Sequence, residues 1–365
     1  EKEKGSKKRR GKESKKIEKE EESPEPEVRG EEGEKEEERE EGEKVEESDS
    51  QTTDEATREH RGYFISDVLD AFMLANSARP INIYSRIGNA NKAGAIGFFT
   101  DLAYTNAKVD KTTNNVGGVQ LGLIFPTEET KVVLGVGANF NRHSIAGEKE
   151  NKANINSFGF GIYGGFNGDI FDFRTGLAIN KNNFSIDRKI TTLSEEYNGN
   201  YNSKFVGNTF SFDMEAGVKF KVANYLRLRP YVGLQTAILS IRDFSESGPS
   251  KDVRLKVNSR NYHLTMGRLG IDLVSAYDTS SPIDFHLGIG GKFKIPSKPM
   301  ALSATLENET IKNEGTKDLK YLFGVDAGVG YRIGKNMTLG GNVGYYGSKS
   351  TVRSVDAKVL FKIDL

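Results

Sequence analysis

The sequence contains no cysteine and no tryptophan, and only nine of its 365 residues are proline. Without cysteine there is no disulfide framework, no thiol nucleophile and no thiolate metal ligand. No apolar run approaches the roughly 20 residues that a transmembrane helix requires. The first residue is Glu1 and no secretion signal is visible, so we expect the sequence to be the C-terminal part of a longer protein.

The formal net charge of zero conceals two oppositely charged parts. Residues 1–60 carry 15 Lys or Arg and 24 Asp or Glu, whereas the remaining 305 residues carry 37 and 28. This first part has almost nothing apolar to bury, and we predict a disordered, charged linker. Its basic run KKRRGKESKK is followed by an acidic block that would compete for the same cations, so we expect no nucleic-acid partner.

One stretch, residues 65–80, has the periodicity of a helix. Ser66 and Asp67 offer N-cap oxygens, and Pro80 disfavours helical geometry at Arg79. The apolar side chains that recur at helical spacing are Val68, Leu69, Phe72 and Met73. This helix is too short to span a bilayer, so the rest of the chain must bury it.

After the helix the period of the hydrophobic pattern changes to two, which is typical of β-strands with one apolar and one polar face. In residues 210–222, FSFDMEAGVKFKV, every second side chain is apolar while the intervening positions are polar, charged or glycine. Twelve such runs are predicted, at about 94–107, 115–125, 131–143, 155–167, 170–187, 205–221, 225–242, 257–276, 282–295, 319–333, 337–347 and 352–365.

The predicted connections alternate between short and long. The long polar ones are 108–115, 143–154, 187–203, 243–255 and 296–318. Short turns at one end and long loops at the other are typical of outer-membrane barrels, whose apolar face contacts lipid. The sequence therefore predicts an all-β fold, a 12-stranded antiparallel outer-membrane β-barrel with one α-helix in its lumen. We expect a linker at 1–60, the lumen helix and a connecting segment at 61–93, and the barrel at 94–365.

Charged residues in the inward phase of the strands are the candidate lumen wall. They are Asp101, Arg174, Asp213, Glu215, Arg227, Arg229, Arg268, Asp272, Asp326 and Arg332. We expect their mixed signs to neutralise one another and to hold the polar groups of the lumen helix, namely Asp67, Asp70, Asn76 and Arg79. In residues 260–273 the apolar phase shifts, which predicts a bulge near Gly267.

No chemical site is predicted. The four histidines, His60, His143, His263 and His286, have no spacing that would form a metal site or a hydrolase. Glycine-rich pieces such as GVGANF lack the following helix that a phosphate loop needs, so we expect no cofactor.

A helix, the segment PINIYSRIGN and twelve strands resemble the C-terminal translocator domain of a monomeric, type Va autotransporter. The resemblance covers about 62–365 and includes the Arg86-Ile87-Gly88 step. It also includes an alternating terminal strand, in which the family's assembly signal would be Val359, Phe361, Ile363 and Leu365. The family usually ends in Phe or Trp, whereas this chain ends in Leu.

The resemblance implies a non-enzymatic, monomeric protein of the bacterial outer membrane that moves an N-terminal passenger to the cell surface and anchors it. Its implied partners are outer-membrane lipid, periplasmic chaperones, the barrel assembly machinery and its own passenger. The alternatives are a plugged porin or small-solute channel, and a barrel enzyme with a catalytic rim.

Topology predicts the direction of the helix. If the last strand ends in the periplasm, the first must begin there, so the start of the helix should face the outside, with residues 79–86 near the periplasmic mouth. One branch of the family releases its passenger by an asparagine reaction that needs an Asn-Asn pair before the Arg-hydrophobic-Gly step. The matching positions here are Ile81 and Asn82, so we expect no such cleavage.

Overall fold

The computed structural model describes residues 63–78, 96–126, 131–191, 195–275, 281–296, 301–306, 309–314, 320–334, 336–348 and 352–365. The predictions for the 1–60 linker, for Arg79 and for the connecting segment up to residue 93 lie outside the described residues. Within the described ranges, no helix has the length and apolarity that crossing a membrane requires.

The helix α1 spans Tyr63–Ala78 and has 16 residues, a length of about 24 Å. It begins before the predicted stretch, so Ser66 and Asp67 lie inside the helix and the predicted N-cap is wrong. The reason is tertiary packing. Phe64, which local propensity left outside the helix, is buried and packs close to Gly147.

Twelve long strands form one antiparallel sheet that closes on itself. They are β1 (Gly97–Val109), β2 (Thr112–Pro126), β3 (Val132–Ala146), β4 (Lys152–Asn167), β5 (Phe171–Ile190), β6 (Gly199–Val218), β8 (Leu226–Ile241), β11 (Arg260–Ser275), β12 (Ile283–Lys294), β15 (Tyr321–Ile333), β16 (Met337–Gly347) and β17 (Arg353–Asp364). Each strand pairs with the next long strand along the chain, and β17 pairs with β1. The predicted closed 12-stranded barrel with one helix is confirmed.

Five short strands lie in the connections. They are β7 (Phe220–Ala223), β9 (Phe244–Ser245), β10 (Lys256–Val257), β13 (Ala301–Leu306) and β14 (Glu309–Glu314). The last four form a separate sheet in the order β14-β13-β10-β9. We call this small sheet the lid. We call the barrel end at which Gly97 pairs with Asp364 the lower end, and the opposite end the upper end.

Three of the predicted long loops at the upper end are mostly strand. The β1–β2 connection is reduced to Asp110 and Lys111, and the β3–β4 connection to residues 147–151. Strands β5 and β6 have 20 residues each and also extend into their predicted loop. These upper strand segments were predicted as loops because they are polar on their outward face.

Along a strand such as β11, the apolar side chains lie on the outward face at the lower end and on the inward face at the upper end. In the lower part of β11, Leu269 and Ile271 point outwards and are 54% and 46% exposed. In its upper part, Leu264 and Met266 point inwards and are almost completely buried. The outward face is apolar only along the lower part of this strand, whereas the inward face of the upper part belongs to the same buried core as the helix.

This exchange explains the apolar phase shift near Gly267, for which a bulge was predicted. Strand β11 keeps a continuous register with β8 from Arg260 to Ser275, and with β12 from Met266 to Val274. The predicted bulge is therefore wrong. A change of environment along a regular strand produces the same sequence pattern as an inserted residue.

The direction of α1 can be tested with a pair of cysteines, because the chain has no others. We expect Phe64→Cys and Gly147→Cys to be joined efficiently by a short bifunctional thiol reagent, since the Phe64 ring packs close to Gly147 in the upper β3–β4 turn. The measurement is the mobility shift of the folded protein. A pair at Phe64 and the lower turn residue Asp169 is the control and should not react. Efficient cross-linking of the Phe64–Asp169 pair, without cross-linking of the Phe64–Gly147 pair, would contradict the assigned direction.

Candidate functional site

The helix occupies the upper part of the barrel interior, and almost all of its residues from Phe64 to Ala75 are buried. Its buried apolar residues are Phe64, Ile65, Val68, Leu69, Ala71, Phe72, Met73, Leu74 and Ala75, each no more than 7% exposed. A helix with this many apolar side chains needs cover over most of its surface. Here the surrounding strands provide that cover, and α1 packs against β1, β2, β3, β5, β8, β11 and β17.

The wall that faces the helix is apolar as well. Its buried residues include Val116, Ile145, Ile155, Ile186, Leu239, Leu264 and Met266. The ring of Phe72 lies 5.3 Å from that of Phe184 and 4.8 Å from that of His143, measured between centroids. The upper lumen is therefore a packed hydrophobic core, which the sequence did not predict.

The predicted polar groups of the helix have different positions. Asp70 is buried and Asp67 is partly buried, while Arg79 lies outside the described residues. The Asn76 amide donates a hydrogen bond of 3.0 Å to the carbonyl oxygen of Phe72, one turn earlier in the helix. From the wall, the Asn114 amide donates to the carbonyl oxygen of Ala71 at 3.2 Å.

The predicted wall residues Arg229, Glu215 and Asp272 meet in one buried cluster. Arg229 donates to Glu215 at 2.8 Å, to Asp272 at 2.9 Å and to Asp172 at 2.6 Å. The Arg229 side chain is only 1% exposed, so these ion pairs are almost fully shielded from solvent. We call Arg229 and its three carboxylates the Arg229 cluster.

Other predicted wall residues adjoin this cluster. Arg174 donates to Glu215 at 3.3 Å, and Arg268 donates to Asp213 at 3.1 Å. Opposite charges along the lower wall thus neutralise one another, as was expected for inward-facing residues of both signs.

The remaining predicted wall residues lie elsewhere. Asp326 is 3.6 Å from the His286 Nε2 atom, and Asp101 is buried on β1. Arg227 donates to the carbonyl oxygen of Asp169, and Arg332 to that of Ser281, so both bond the backbone of lower turns.

Several buried charged residues of the wall were missed in the sequence analysis. They include Asp172, Lys292, Asp356, Lys358, Lys362 and Asp364. Asp172 shares the inward phase with Arg174, so the alternation in FDFRTG already contained this signal. Lys292 lies over the Tyr346 ring at 4.2 Å from its centroid, which only the paired strands could bring together.

A cavity of about 80 Å³ lies at the lower end of the helix. Asn76 and Asp101 contribute to its lining. Side-chain amides from four strands also line it: Gln120, Asn139, Asn141, Asn180 and Gln235. These amides both donate and accept hydrogen bonds, so this part of the lumen suits a hydrated polypeptide backbone.

The lid covers the helix at the upper end. Its Phe244, Val257 and Ala304, together with Val253 and Leu255 of the β9–β10 connection, belong to the same buried core as the helix. The rings of Phe184, Phe205 and Phe244 are stacked, with centroids 4.6 Å and 3.9 Å apart. Together with Phe72 they form a continuous aromatic chain from the helix through β5 and β6 to the lid.

A buried ion pair fixes the lid to β5. Arg188 donates to both carboxylate oxygens of Glu246, at 3.0 Å and 2.5 Å, and to the Val253 carbonyl oxygen at 2.9 Å. The Leu255 amide donates to the same carboxylate at 3.0 Å. Both charged side chains are 1% exposed, so loss of either one would leave the other charge buried without its ionic partner.

The predicted assembly-signal residues lie on β17 and the chain end, next to β1. Val359 and Leu365 are exposed, and Phe361 and Ile363 are partly exposed on the same outward face. In the register, Val359 pairs with Leu102 and Ile363 with Phe98. These side chains thus join the apolar outer surface at the seam where the barrel closes.

The chain matches a family model described as "Autotransporter beta-domain" over residues 93–344. The translocator domain of the autotransporter NalP from Neisseria meningitidis is similar in structure, with a TM-score of 0.67 at 13% identity, covering 82% of this chain and 98% of that one. The transport unit of AIDA-I from Escherichia coli has a TM-score of 0.53 at 13% identity and covers 82% and 98%. The β-domain of the Bordetella autotransporter BrkA has a TM-score of 0.54 at 13% identity and covers 74% and 100%. No curated protein matches the sequence.

Proposed function

Since the chain belongs to the autotransporter β-domain family, we propose that this outer-membrane translocator moves a passenger on its N-terminal side to the cell surface and anchors it there. One observation carries the proposal. The helix lies inside the barrel and begins beside the upper β3–β4 turn, at the end opposite to Gly97 and Asp364. In this proposal, the polypeptide that precedes the helix leaves the barrel through the upper end.

The other parts of the proposal follow from this arrangement. Residues 1–60 would be the charged linker to the passenger, and the apolar helix would be the anchor that remains in the lumen. The outward β17 surface, including Phe361, would be recognised by the barrel assembly machinery after chaperones deliver the chain. The protein would act as a monomer, and the barrel would have no enzymatic role.

A plugged small-solute channel is less well supported. Such a channel needs a continuous water path, or a plug that leaves easily. The helix is instead surrounded by a buried apolar core that includes the lid. Exposing that core to water would be costly, because each buried large apolar side chain contributes about 1.5–3 kcal/mol.

The proposal is tested by surface labelling. An epitope tag replaces residues 1–20, and the chain is exported behind a secretion signal in a Gram-negative host. We expect an antibody to reach this tag on intact cells. A tag inserted at Asp169 in a lower turn is the control and should react only after permeabilisation. A folded barrel whose N-terminal tag is also shielded in intact cells would refute the proposal.

We also predict that the barrel does not cleave its own chain. Asn76 is already bonded to the helix backbone, and the first Asn of the required pair is absent at Ile81. Asn76→Asp and Asn82→Asp should leave the mass of the protein from purified outer membranes unchanged apart from the substitution. A discrete product starting at Ser77 or Asn82, lost in these variants, would show that the prediction is wrong.

A further inference from the structure

Strands β3–β6 extend above the lipid-facing band on one side of the barrel. On β4 the outward residues Phe158, Phe160 and Ile162 are 51%, 62% and 56% exposed, as lipid-facing side chains would be. The next outward residues towards the upper end are Asn156, Asn154 and Lys152, all exposed and polar. The edge of the lipid-facing band thus lies between Phe158 and Asn156.

We call the outward residues of β3–β6 above this edge the upper polar face. Its basic residues are Arg142, Lys152, Lys181, Lys189 and Lys204, and its carboxamides are Asn154, Asn156, Asn183, Asn200, Asn202 and Asn208. Lys189 is paired with Glu150 at 2.7 Å. Among the described outward residues of these strands above the band, Asp187 is the only acid, so the face is net positive.

The strand register places the basic groups directly at the edge of the band. Phe140, Phe158 and Lys181 follow one another across β3, β4 and β5, so Lys181 lies level with two aromatic rings. One step higher, Arg142 lies in the row of Asn156 and Asn183. Neighbouring strands are about 4.8 Å apart and successive rows on one face about 6.8 Å apart, so Arg142 and Lys181 lie roughly 12 Å apart across the sheet.

The other side of the barrel has no such extension in its described strands. Strands β12, β15, β16 and β17 have only 11 to 13 residues, compared with 15 to 20 in β3–β6. Its exposed or partly exposed basic residues near the upper end are Lys108, Lys320 and Arg353. Within their described residues, β12 and β15–β17 therefore carry no comparable positive, carboxamide-rich surface.

We propose that the upper polar face binds a phosphorylated glycolipid of the outer leaflet. Guanidinium and ammonium groups form strong charge-assisted hydrogen bonds with phosphate, and carboxamides both donate to and accept from sugar hydroxyls. Acyl chains would lie along Phe140, Phe158 and Phe160, of which the last two pack edge to face with centroids 5.0 Å apart. The proposal requires the upper end to face outwards but does not depend on a passenger.

The test measures lipid binding to the full folded chain in detergent by native mass spectrometry. The probes are diphosphorylated lipid A, enzymatically dephosphorylated lipid A and phosphatidylglycerol. The variant is Arg142→Ser, Lys181→Ser and Lys204→Ser together. The matched control, Lys108→Ser, Lys320→Ser and Arg353→Ser, removes the same charge from the other side. Heat-modifiable migration on gels checks that every variant is folded.

We expect the first triple variant to bind diphosphorylated lipid A about tenfold more weakly, and the control to bind as the parent does. Dephosphorylated lipid A should bind the parent weakly. Equal loss in both triple variants, or no loss in the first, would overturn the proposal. Phosphatidylglycerol binding as tightly as lipid A would also overturn it, because the face would then recognise any anionic lipid. If the triple variant does not fold, Arg142→Ser alone should show a smaller loss in the same direction, and no loss would count against the proposal.

Discussion

Arg229→Met is expected to prevent most of the protein from reaching its folded, heat-modifiable form. The substitution leaves Asp172, Glu215 and Asp272 facing one another without the guanidinium that bonds all three. Removing one partner of a buried ion pair typically costs about 3–5 kcal/mol, because the remaining charge is buried and uncompensated. A folded fraction measured by gel mobility and by urea titration in detergent should fall accordingly.

Arg227→Met is the matched control for this experiment. Arg227 lies two residues away on the same strand and points in the same direction, but it is partly exposed and bonds a backbone carbonyl oxygen. Its loss should cost no more than about 1 kcal/mol. Adding Asp172→Asn to Arg229→Met should recover part of the stability by removing one of the three carboxylates that lose this guanidinium. If Arg227→Met and Arg229→Met were equally stable, the Arg229 cluster would not have the structural importance assigned to it.

Arg188→Met is expected to release the lid while the barrel stays folded. Glu246 would be left buried without its ionic partner, at a cost of about 3–5 kcal/mol to the closed position of the lid. The lid is joined to the barrel by connections rather than by continuous strand pairing, so it can open by itself. Limited proteolysis should then cut within residues 242–259, and conductance in planar bilayers should rise.

Lys189→Met is the matched control for the lid. This neighbouring residue pairs with Glu150, whose side chain is 72% exposed, so its loss should change neither proteolysis nor conductance. Glu246→Gln should act in the same direction as Arg188→Met. Exchanging the two residues, Arg188→Glu with Glu246→Arg, should restore part of the protection if the ion pair is the cause. Unchanged protease resistance in both single variants would show that the apolar contacts alone hold the lid.

The local sequence pattern determined the architecture of the barrel. In residues 210–222 the alternation assigned Phe210 and Val218 to the outward face, and both are exposed on it. The even number of strands and the helix followed from periodicity, because a pattern of two or of 3.6 residues depends only on neighbours along the chain. The same alternation grouped Asp172 with Arg174, although only the second was selected as a wall residue.

The tertiary structure decided what each face meets and which charges pair. Residues Phe184 and Ile186 belong to a segment predicted as strand only as far as 187, yet they pack beside a helix more than 100 residues earlier in the chain. Arg188 and Glu246 are separated by 58 residues, and Arg229 and Asp172 by 57. Periodicity states which side chains share a face, but the partner of that face depends on strand register and on closure of the barrel. For this reason the sequence predicted a polar lumen with a helix inside it, whereas the fold has an apolar core around the helix and the charged clusters below it.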